Sequence, residues 1–200
     1  MDNEFSGKSA LVTGASRGIG AATAVALARR GVSRFLLQYN SNPEGAAQTV
    51  AAIRSAGGEA VSVQADLSRP EGIHSFIQQI SLPVDILINN AGSLVERVKL
   101  PEYTEDLFDR VMNLNVKSVW FITQAVAPGM IAKASGVVVN LSSIAARNGG
   151  GPGATIYSAA KAAVSTITKG LAKELAPKGI RVNAGSPGTV DNYFHQQFSN

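Results

Sequence analysis

The stretch Thr13-Gly14-Ala15-Ser16-Arg17-Gly18-Ile19-Gly20 lies between a short apolar run, Lys8 to Thr13, and an alanine-rich segment, Ile19 to Arg30. The apolar run predicts a buried strand, and the alanine-rich segment predicts a helix closed by Gly31. Glycines between a strand and a helix allow a tight turn whose backbone N–H groups can approach a phosphate closely. The spacing is G-x3-G-x-G rather than the usual dinucleotide fingerprint G-x-G-x-x-G, so the turn alone does not identify its ligand.

Outward from this turn, apolar runs alternate with helical patterns along the whole chain. Runs that are apolar almost throughout indicate parallel strands covered on both faces, and right-handed crossovers then give a doubly wound α/β sheet. We therefore predict one Rossmann-type domain, residues 1–200, that binds ligands at the carboxyl ends of its strands. The further predicted strands are Phe35 to Tyr39, Ala60 to Gln64, Val84 to Ile88, Val137 to Leu141 and Ile180 to Ala184; the further predicted helices are Pro43 to Ala56, Pro70 to Ile80, Thr104 to Ile131 and Tyr157 to Ala176.

Composition excludes several classes of protein. The 200 residues are 45% hydrophobic, as in globular proteins, and only 16% charged, which indicates that much of the chain is buried in the fold or against another subunit. The net charge of +4 is not clustered, so the sequence does not favour a nucleic-acid partner. The absence of cysteine excludes disulfides and thiolate metal sites, and no apolar run approaches the ~18 residues of a membrane span. We expect a cytoplasmic protein with no metal.

The glycine turn also matches G-x-S-x-G, the nucleophile elbow of α/β-hydrolases. A hydrolase would pair Ser16 with an acid and with His195, an order along the chain that is possible. The only histidines are His74 and His195, and a single histidine near a chain end is a poor candidate for a base. We therefore favour phosphate binding by this turn.

The end of the second predicted strand bears on the choice of nucleotide. An Asp or Glu there would bind the ribose 2′-hydroxyl of NAD, but residues 38–42, including Asn40, contain no acid. Arg17 stands beside the expected 2′-position, where a cation favours a phosphate. The sequence therefore predicts NADP(H) in preference to NAD(H), with a solvated helix-start arginine as the alternative for Arg17.

Tyr157 and Lys161 are four residues apart on a predicted helix, so they project from the same face. An ammonium near a phenol lowers its pKa from about 10 and suits it to proton transfer near neutral pH. The pair alone is common, and its neighbours make it informative. Ser143 follows the fifth strand, and further polar or glycine motifs end the fourth and sixth strands, all at the predicted ligand-binding edge.

Together these motifs resemble the short-chain dehydrogenase/reductase family, most closely its 3-oxoacyl-[acyl-carrier-protein] reductase-like branch. The resemblance implies an oxidoreductase that transfers a hydride between NADPH and a small carbonyl or alcohol substrate, such as a 3-oxoacyl thioester. It also implies a homodimer or homotetramer. The matching motifs are Thr13 to Gly20, Asp66-Leu67, Asn89-Asn90-Ala91-Gly92, Asn115, Ser142-Ser143, Tyr157 with Lys161, and Pro187 to Val190.

The same resemblance implies roles for individual residues. Tyr157 is the general acid for ketone reduction, Lys161 lowers its pKa and binds the nicotinamide ribose, and Ser143 orients the substrate carbonyl. Asn115 holds a water that links Lys161 to solvent, or else is only a helix-kink residue. Strand alternation lets one serine of the 142–143 pair face the site, and the family uses the second. The implied cofactor-binding residues are Gly14, Ser16, Arg17, Gly18, Ile19, Gly20, Asn40, Asp66, Leu67, Asn89, Ala91, Gly92, Tyr157, Lys161, Pro187, Gly188 and Thr189.

The family continues past Val190 with a substrate-covering segment, a further helix and a seventh strand, whereas this chain ends at Asn200. We therefore expect the last helix and strand to be absent, and substrate closure and subunit assembly to be weakened. A second hypothesis follows: an NADP-binding interaction protein of the same fold that is catalytically weak or inactive. The presence of all four implied catalytic residues favours the enzyme.

Overall fold

The computed structural model describes residues 4–190 and residue 198. Its strands are β1 (Ser9–Val12), β2 (Arg34–Tyr39), β3 (Glu59–Gln64), β4 (Ile86–Asn89), β5 (Gly136–Leu141) and β6 (Ile180–Gly185). Its helices are α1 (Gly18–Arg29), α2 (Pro43–Ser55), α3 (Pro70–Gln78), α4 (Glu105–Met112), α5 (Ser118–Ala132), α6 (Ala145–Asn148) and α7 (Thr155–Leu175). A π-helical turn, Asn113–Lys117, joins α4 to α5, and short 3₁₀ turns occupy Leu100–Glu102 and Ala176–Lys178.

The strands form one parallel sheet in the order β3-β2-β1-β4-β5-β6. Strand β1 lies in the middle, where Leu11 is opposite Leu36 of β2 and Leu87 of β4. The strand order reverses between β1 and β4, and in such sheets ligands bind at the carboxyl ends beside that point. The predicted doubly wound α/β fold is confirmed.

An apolar core lies on each face of the sheet, which explains why the central strands β1 and β4 are apolar almost throughout. Successive side chains of a strand point to opposite faces. Leu11 accordingly packs in one core with Phe76 and Leu87, and its neighbour Val12 packs in the other with Phe35. Both cores hold the strand ends in fixed positions relative to one another.

Local capping explains where several helices begin. The side chain of Asn42 accepts a hydrogen bond from the Gly45 amide at 3.2 Å, and Pro43 opens α2 as predicted. Thr104 caps α4 in the same way, accepting from the Leu107 amide at 3.2 Å. The helical region predicted from Thr104 to Ile131 is present, and it contains a π-helical turn that the sequence did not predict. Helix α6 was not predicted.

No helix within the described part of the chain is both long and apolar enough to cross a membrane. His195, the base of the hydrolase alternative, and most of the segment after Val190 lie outside the described residues. Phe198 is described, and it is buried against Leu94 and Ala154.

Candidate active site

A cavity of about 1100 Å³ runs along the carboxyl ends of the strands. The glycine turn and the ends of β2 and β3 line one end, and residues that follow β5 and begin α7 line the other. The predicted site residues that line it are Gly14, Ser16, Arg17, Gly18, Ile19, Asn40, Asp66, Leu67, Ala91, Gly92, Ser143, Tyr157, Lys161, Pro187, Gly188 and Thr189.

Two amide side chains, those of the buried Gln38 and of Asn90 in the cavity wall, hold the glycine turn in place. The Gly14 amide donates to Oε1 of Gln38 at 2.8 Å, and Nε2 of Gln38 donates to the Ala65 carbonyl at 2.8 Å. Nδ2 of Asn90 donates to the carbonyls of Thr13 and Gly14 at 2.9 and 3.0 Å. Asn90 belongs to a motif quoted from the sequence, but no role was predicted for it or for Gln38; for Gln38, a glutamine within an apolar strand was the available signal.

Glycine is required at position 14 for two reasons. Its φ of +64° lies in the left-handed region, and a Cβ there would lie 2.8 Å from Nδ2 of Asn90 and 2.9 Å from Cα of Ala91. Helix α1 begins four residues later at Gly18, and its first turn carries no acidic residue. The amide groups and partial positive charge at that helix end therefore fit a pyrophosphate.

Two residues predicted at the cofactor, Gly20 and Asn89, do not line the cavity. Asn89 is the last residue of strand β4, and its side chain points away from the cavity. Its Nδ2 donates to Thr123 Oγ1 at 3.0 Å and to Asn140 Oδ1 at 2.9 Å. Gly20 instead allows close packing, because a Cβ there would lie 2.3 Å from the Gly14 carbonyl oxygen. Their predicted contact with the cofactor stays a prediction.

The end of the cavity formed by the glycine turn, β2 and β3 contains one carboxylate. Oδ1 of Asp66 accepts hydrogen bonds from the amide and hydroxyl of Ser68, at 2.9 and 2.7 Å, which fixes the turn after β3. Arg17 and Asn40 line the cavity close to the start of α1 and the end of β2. The region around Arg17 therefore combines a cation with a β2 end that has no acid, an arrangement compatible with a 2′-phosphate.

The two serines after β5 point in different directions. Ser142 is buried, and its hydroxyl donates to the Lys161 carbonyl at 2.9 Å and lies 2.7 Å from Ser165 Oγ. Ser143 lines the cavity, where its side chain is hydrogen-bonded to that of Tyr157. The structure therefore places the second serine beside the phenol.

Lys161 and Tyr157 respond to burial in opposite senses. Lys161 is only 3% exposed, and burial lowers its pKa to about 8. Its Nζ donates to the Leu141 carbonyl at 2.7 Å and lies 5.6 Å from the centre of the Tyr157 ring. Burial raises the pKa of Tyr157, although its hydrogen bond with Ser143 acts the other way. The pKa of Tyr157 is therefore raised rather than lowered as the family resemblance implies, because burial outweighs the hydrogen bond with Ser143.

The π-helical turn places Asn115 in the interior behind the cavity. Asn115 is fully buried, and its Nδ2 donates to the carbonyls of Ser93 and Val111 at 2.8 and 2.9 Å. Its Oδ1 has no hydrogen-bond partner within the described residues. A Cβ on Gly92 would lie 2.6 Å from Lys161 Nζ and 2.8 Å from Asn115 Oδ1, so an ammonium and an unsatisfied acceptor converge there.

No cluster of three or more metal-binding side chains occurs within residues 4–190 and 198.

The family model described as short chain dehydrogenase matches residues 8–200. The chain belongs to the short-chain dehydrogenase family. A relative, the 3-oxoacyl-[acyl-carrier-protein] reductase of Synechocystis sp., is 41% identical over 184 residues, which cover 90% of this chain and 73% of the relative.

Two solved structures extend the comparison. The NADH-dependent reductase A1-R′ complexed with NAD has a TM-score of 0.85 at 36% identity, over 96% of this chain and 82% of that one. The short-chain dehydrogenase from Sphingobium yanoikuyae in complex with NADPH has a TM-score of 0.86 at 31% identity, over 94% and 73%. Since one binds NAD and the other NADPH, the fold does not decide between the two nucleotides.

Proposed function

We propose that this member of the short-chain dehydrogenase family is an NADPH-dependent reductase of carbonyl compounds, with 3-oxoacyl thioesters or related ketones as substrates. One observation carries the proposal: Ser143, Tyr157 and Lys161 line one end of a cavity whose other end is the glycine turn. The turn suits a nucleotide phosphate, and the three polar groups suit a carbonyl that becomes an alcohol. The same groups would serve alcohol oxidation in reverse.

The residues of the polar end divide the work of carbonyl reduction. A nicotinamide nucleotide, when bound along the cavity, supplies the hydride. Ser143 donates a hydrogen bond to the carbonyl oxygen and stabilises the negative charge that develops there. Tyr157, which burial keeps protonated near neutral pH, gives its proton to that oxygen.

Lys161 and Asn115 are proposed to return the proton to Tyr157. With a pKa of about 8, Lys161 can both hold and release a proton close to neutral pH. Asn115 Oδ1 is an unsatisfied acceptor close to the same point beneath Gly92, which is suited to holding a water beside the ammonium. Asn115 therefore acts through Lys161 rather than on the substrate.

The test of this function is the loss of NADPH absorbance with an acetoacetyl thioester or a related ketone. We expect turnover that depends on protein concentration and that yields the corresponding alcohol. A protein that binds NADPH but oxidises none of it with any of these ketones would instead be the catalytically inactive interaction protein. Named relatives of this chain include a 3-oxoacyl-[acyl-carrier-protein] reductase, which supports the choice of substrate.

Arg17 and Asn40 support the preference for NADP(H), because they line the cavity where no Asp or Glu ends β2. Calorimetry should show tighter binding of NADP⁺ than of NAD⁺. Asn40→Asp introduces a carboxylate that repels a 2′-phosphate and binds a 2′-hydroxyl, so it should shift the preference toward NAD⁺. Asn40→Ser, the matched control, should leave it unchanged. Equal affinities of the native protein for NADP⁺ and NAD⁺ would contradict the proposed preference.

We also propose that the chain works in the cytoplasm as a homodimer or homotetramer, as the family resemblance implies. Large apolar side chains on α4 and α5 support assembly. Phe108, Trp120 and Ile131 are each at least 40% exposed, and a contact between copies would cover them.

A further inference from the structure

We propose that Arg97 binds an anionic group of the carbonyl substrate, so that the enzyme prefers ketones that carry a carboxylate or a phosphate. The inference rests on the proposed reductase function and names a property of its substrate. Lys99, which lines the same cavity, adds to the positive charge. The proposed contact is an ion pair between the guanidinium at the cavity wall and an anion held beside the reacting carbonyl.

Arg97 is placed at the Tyr157 end of the cavity. Its Nη1 donates to the Pro152 carbonyl at 2.5 Å, and a Cβ on Gly151 would lie 3.6 Å from the same atom. Its Cγ would lie 2.9 Å from a Cβ on Gly153. The side chain therefore lies across the glycine-rich loop that precedes α7. The last glycine of this loop, Gly153, is four residues before Tyr157, the proposed proton donor.

The charges that line this cavity are unevenly distributed. Three cations line it, Arg97, Lys99 and Arg110. They are additional to Arg17 and Lys161, which are proposed to bind the nucleotide. The only carboxylate lining it within the described residues is Asp66, which is bonded to Ser68 at the end of β3. Arg110 has an ion-pair contact with a carboxylate, whereas the described residues include none for Arg97 or Lys99.

The guanidinium of Arg97 is chemically suited to a planar anion. It has five N–H donors in a fixed fork, and the bond to Pro152 uses one of them. The remaining donors can form paired hydrogen bonds with a carboxylate or phosphate. Gly150 and Gly151, which line the cavity nearby, have no side chain that would obstruct an anion from reaching it.

The experiment compares ketones that carry an anionic group with related ketones that lack it. Levulinate is paired with methyl levulinate, which tests a carboxylate, and acetoacetyl-coenzyme A is paired with acetoacetyl-N-acetylcysteamine, which tests the carrier phosphates. In the native protein, kcat/KM should favour the anionic member of at least one pair by about tenfold, the range for a hydrogen bond to a charged group. The preference should narrow as salt is raised from about 0.05 M to 0.5 M.

Substitution of Arg97 tests whether this residue causes the preference for the anionic ketone. Arg97→Met should lower kcat/KM for the anionic ketone about tenfold and change that of its neutral partner less than twofold. Arg97→Lys, which keeps the charge without the fork, should recover part of the loss. Arg34→Met is the matched control, because Arg34 is exposed at the opposite, amino end of β2. A fall of equal size for both members of a pair would show a loop defect and overturn the proposal.

Binding to the NADP⁺-saturated protein, measured by calorimetry, separates this proposal from the reductase function. We expect levulinate or coenzyme A to bind more weakly to Arg97→Met than to the native protein. If neutral ketones are reduced as fast as anionic ones, the reductase function stands and the role of Arg97 falls. If no ketone is reduced but binding of the anion still depends on Arg97, the reductase function falls alone. If the anion binds equally to both proteins, the proposal is overturned whatever the turnover.

Discussion

Burial favours the neutral form of both Tyr157 and Lys161, and it therefore shifts their pKa values in opposite directions. It raises the pKa of the phenol, so the phenol holds its proton near neutral pH as a donor to a carbonyl oxygen must. It lowers the pKa of the ammonium to about 8, which still leaves most of it charged at pH 7. The spacing of four predicted that the pair shares a helix face. It could not predict the burial, because that depends on β5 and on the loops that pack over the helix.

Tyr157→Phe removes the hydroxyl and keeps the ring. Ketone reduction should fall by at least about 100-fold, the lower range for a positioned acid, while the affinity for NADP⁺ stays within a few fold. Tyr103→Phe is the control, because Tyr103 packs against the same apolar cluster as Tyr157 but does not line the cavity. Steady-state rates and calorimetry measure the two effects. An unchanged rate in Tyr157→Phe would exclude this tyrosine as the proton donor.

Lys161→Met should make the protein more stable and less active. The lysine pKa falls from its ordinary 10.5 to about 8 on folding, so the folded state disfavours the charged form. This penalty, about 3 kcal/mol, is fully present below pH 8 and disappears as pH rises to about 10.5. Removing the charge while losing the bond to Leu141 should leave a gain on the order of 2 kcal/mol at pH 7.

Urea unfolding of the native protein and of Lys161→Met measures this gain. The difference between them should shrink as pH rises from 8 toward 10.5, because only the native protein then loses the penalty. Cofactor affinity and turnover should both fall in the variant. A variant less stable than the native protein at pH 7 would contradict a desolvation penalty at this position.

Among the elements, the π-helical turn and the strand ends decide which side chains reach the site. The sequence predicted one helix from Thr104 to Ile131, because a five-residue π-helical turn continues the helix and is too short to show an apolar period of its own. The predicted end of β4 at Ile88 was one residue short. Pairing continues to Asn89, opposite Asn140, and alternation then turns Asn89 away and leaves Asn90 in the cavity wall.

Gly92→Ala tests the close contact between the segment after β4, Lys161 and Asn115 of the π-helical turn. The added Cβ would lie 2.6 Å from Lys161 Nζ and 2.8 Å from Asn115 Oδ1, so the lysine must move from its place beside Tyr157. Turnover should fall at least about tenfold, an increase of about 1.4 kcal/mol in the barrier, while the fold is kept.

Gly170→Ala is the matched control for this substitution. A Cβ on Gly170, in the exposed part of α7, has no neighbour within 4 Å, so alanine should stabilise the helix by up to about 1 kcal/mol. Rates and thermal unfolding are measured for both variants. Normal turnover in Gly92→Ala would show that the position of the ammonium is not critical.

For the whole molecule, the alternation of strands and helices was enough to predict a doubly wound sheet and the edge at which its ligands bind. The order of the strands is not contained in that pattern, since any right-handed arrangement has the same local periods. The cavity follows from the order. Placing β4 beside β1 brings Asn90 to the glycine turn, and placing β5 beside β4 brings Ser143 to the same edge.

The exposed apolar side chains of α4 and α5 give the last prediction. Trp120 and Ile131 are eleven residues apart, about three turns, so they lie on one side of α5. If copies associate through this side, Trp120→Glu must bury a carboxylate there and should lower the mass measured by light scattering. Leu100→Glu, at a residue 89% exposed in the turn before α4, should not. A native monomer, or an unchanged mass in Trp120→Glu, would exclude this side as the contact. Since Ser143, Tyr157, Lys161 and Asn115 all belong to one chain, a dissociated variant that stays folded should retain reduction that depends on Tyr157.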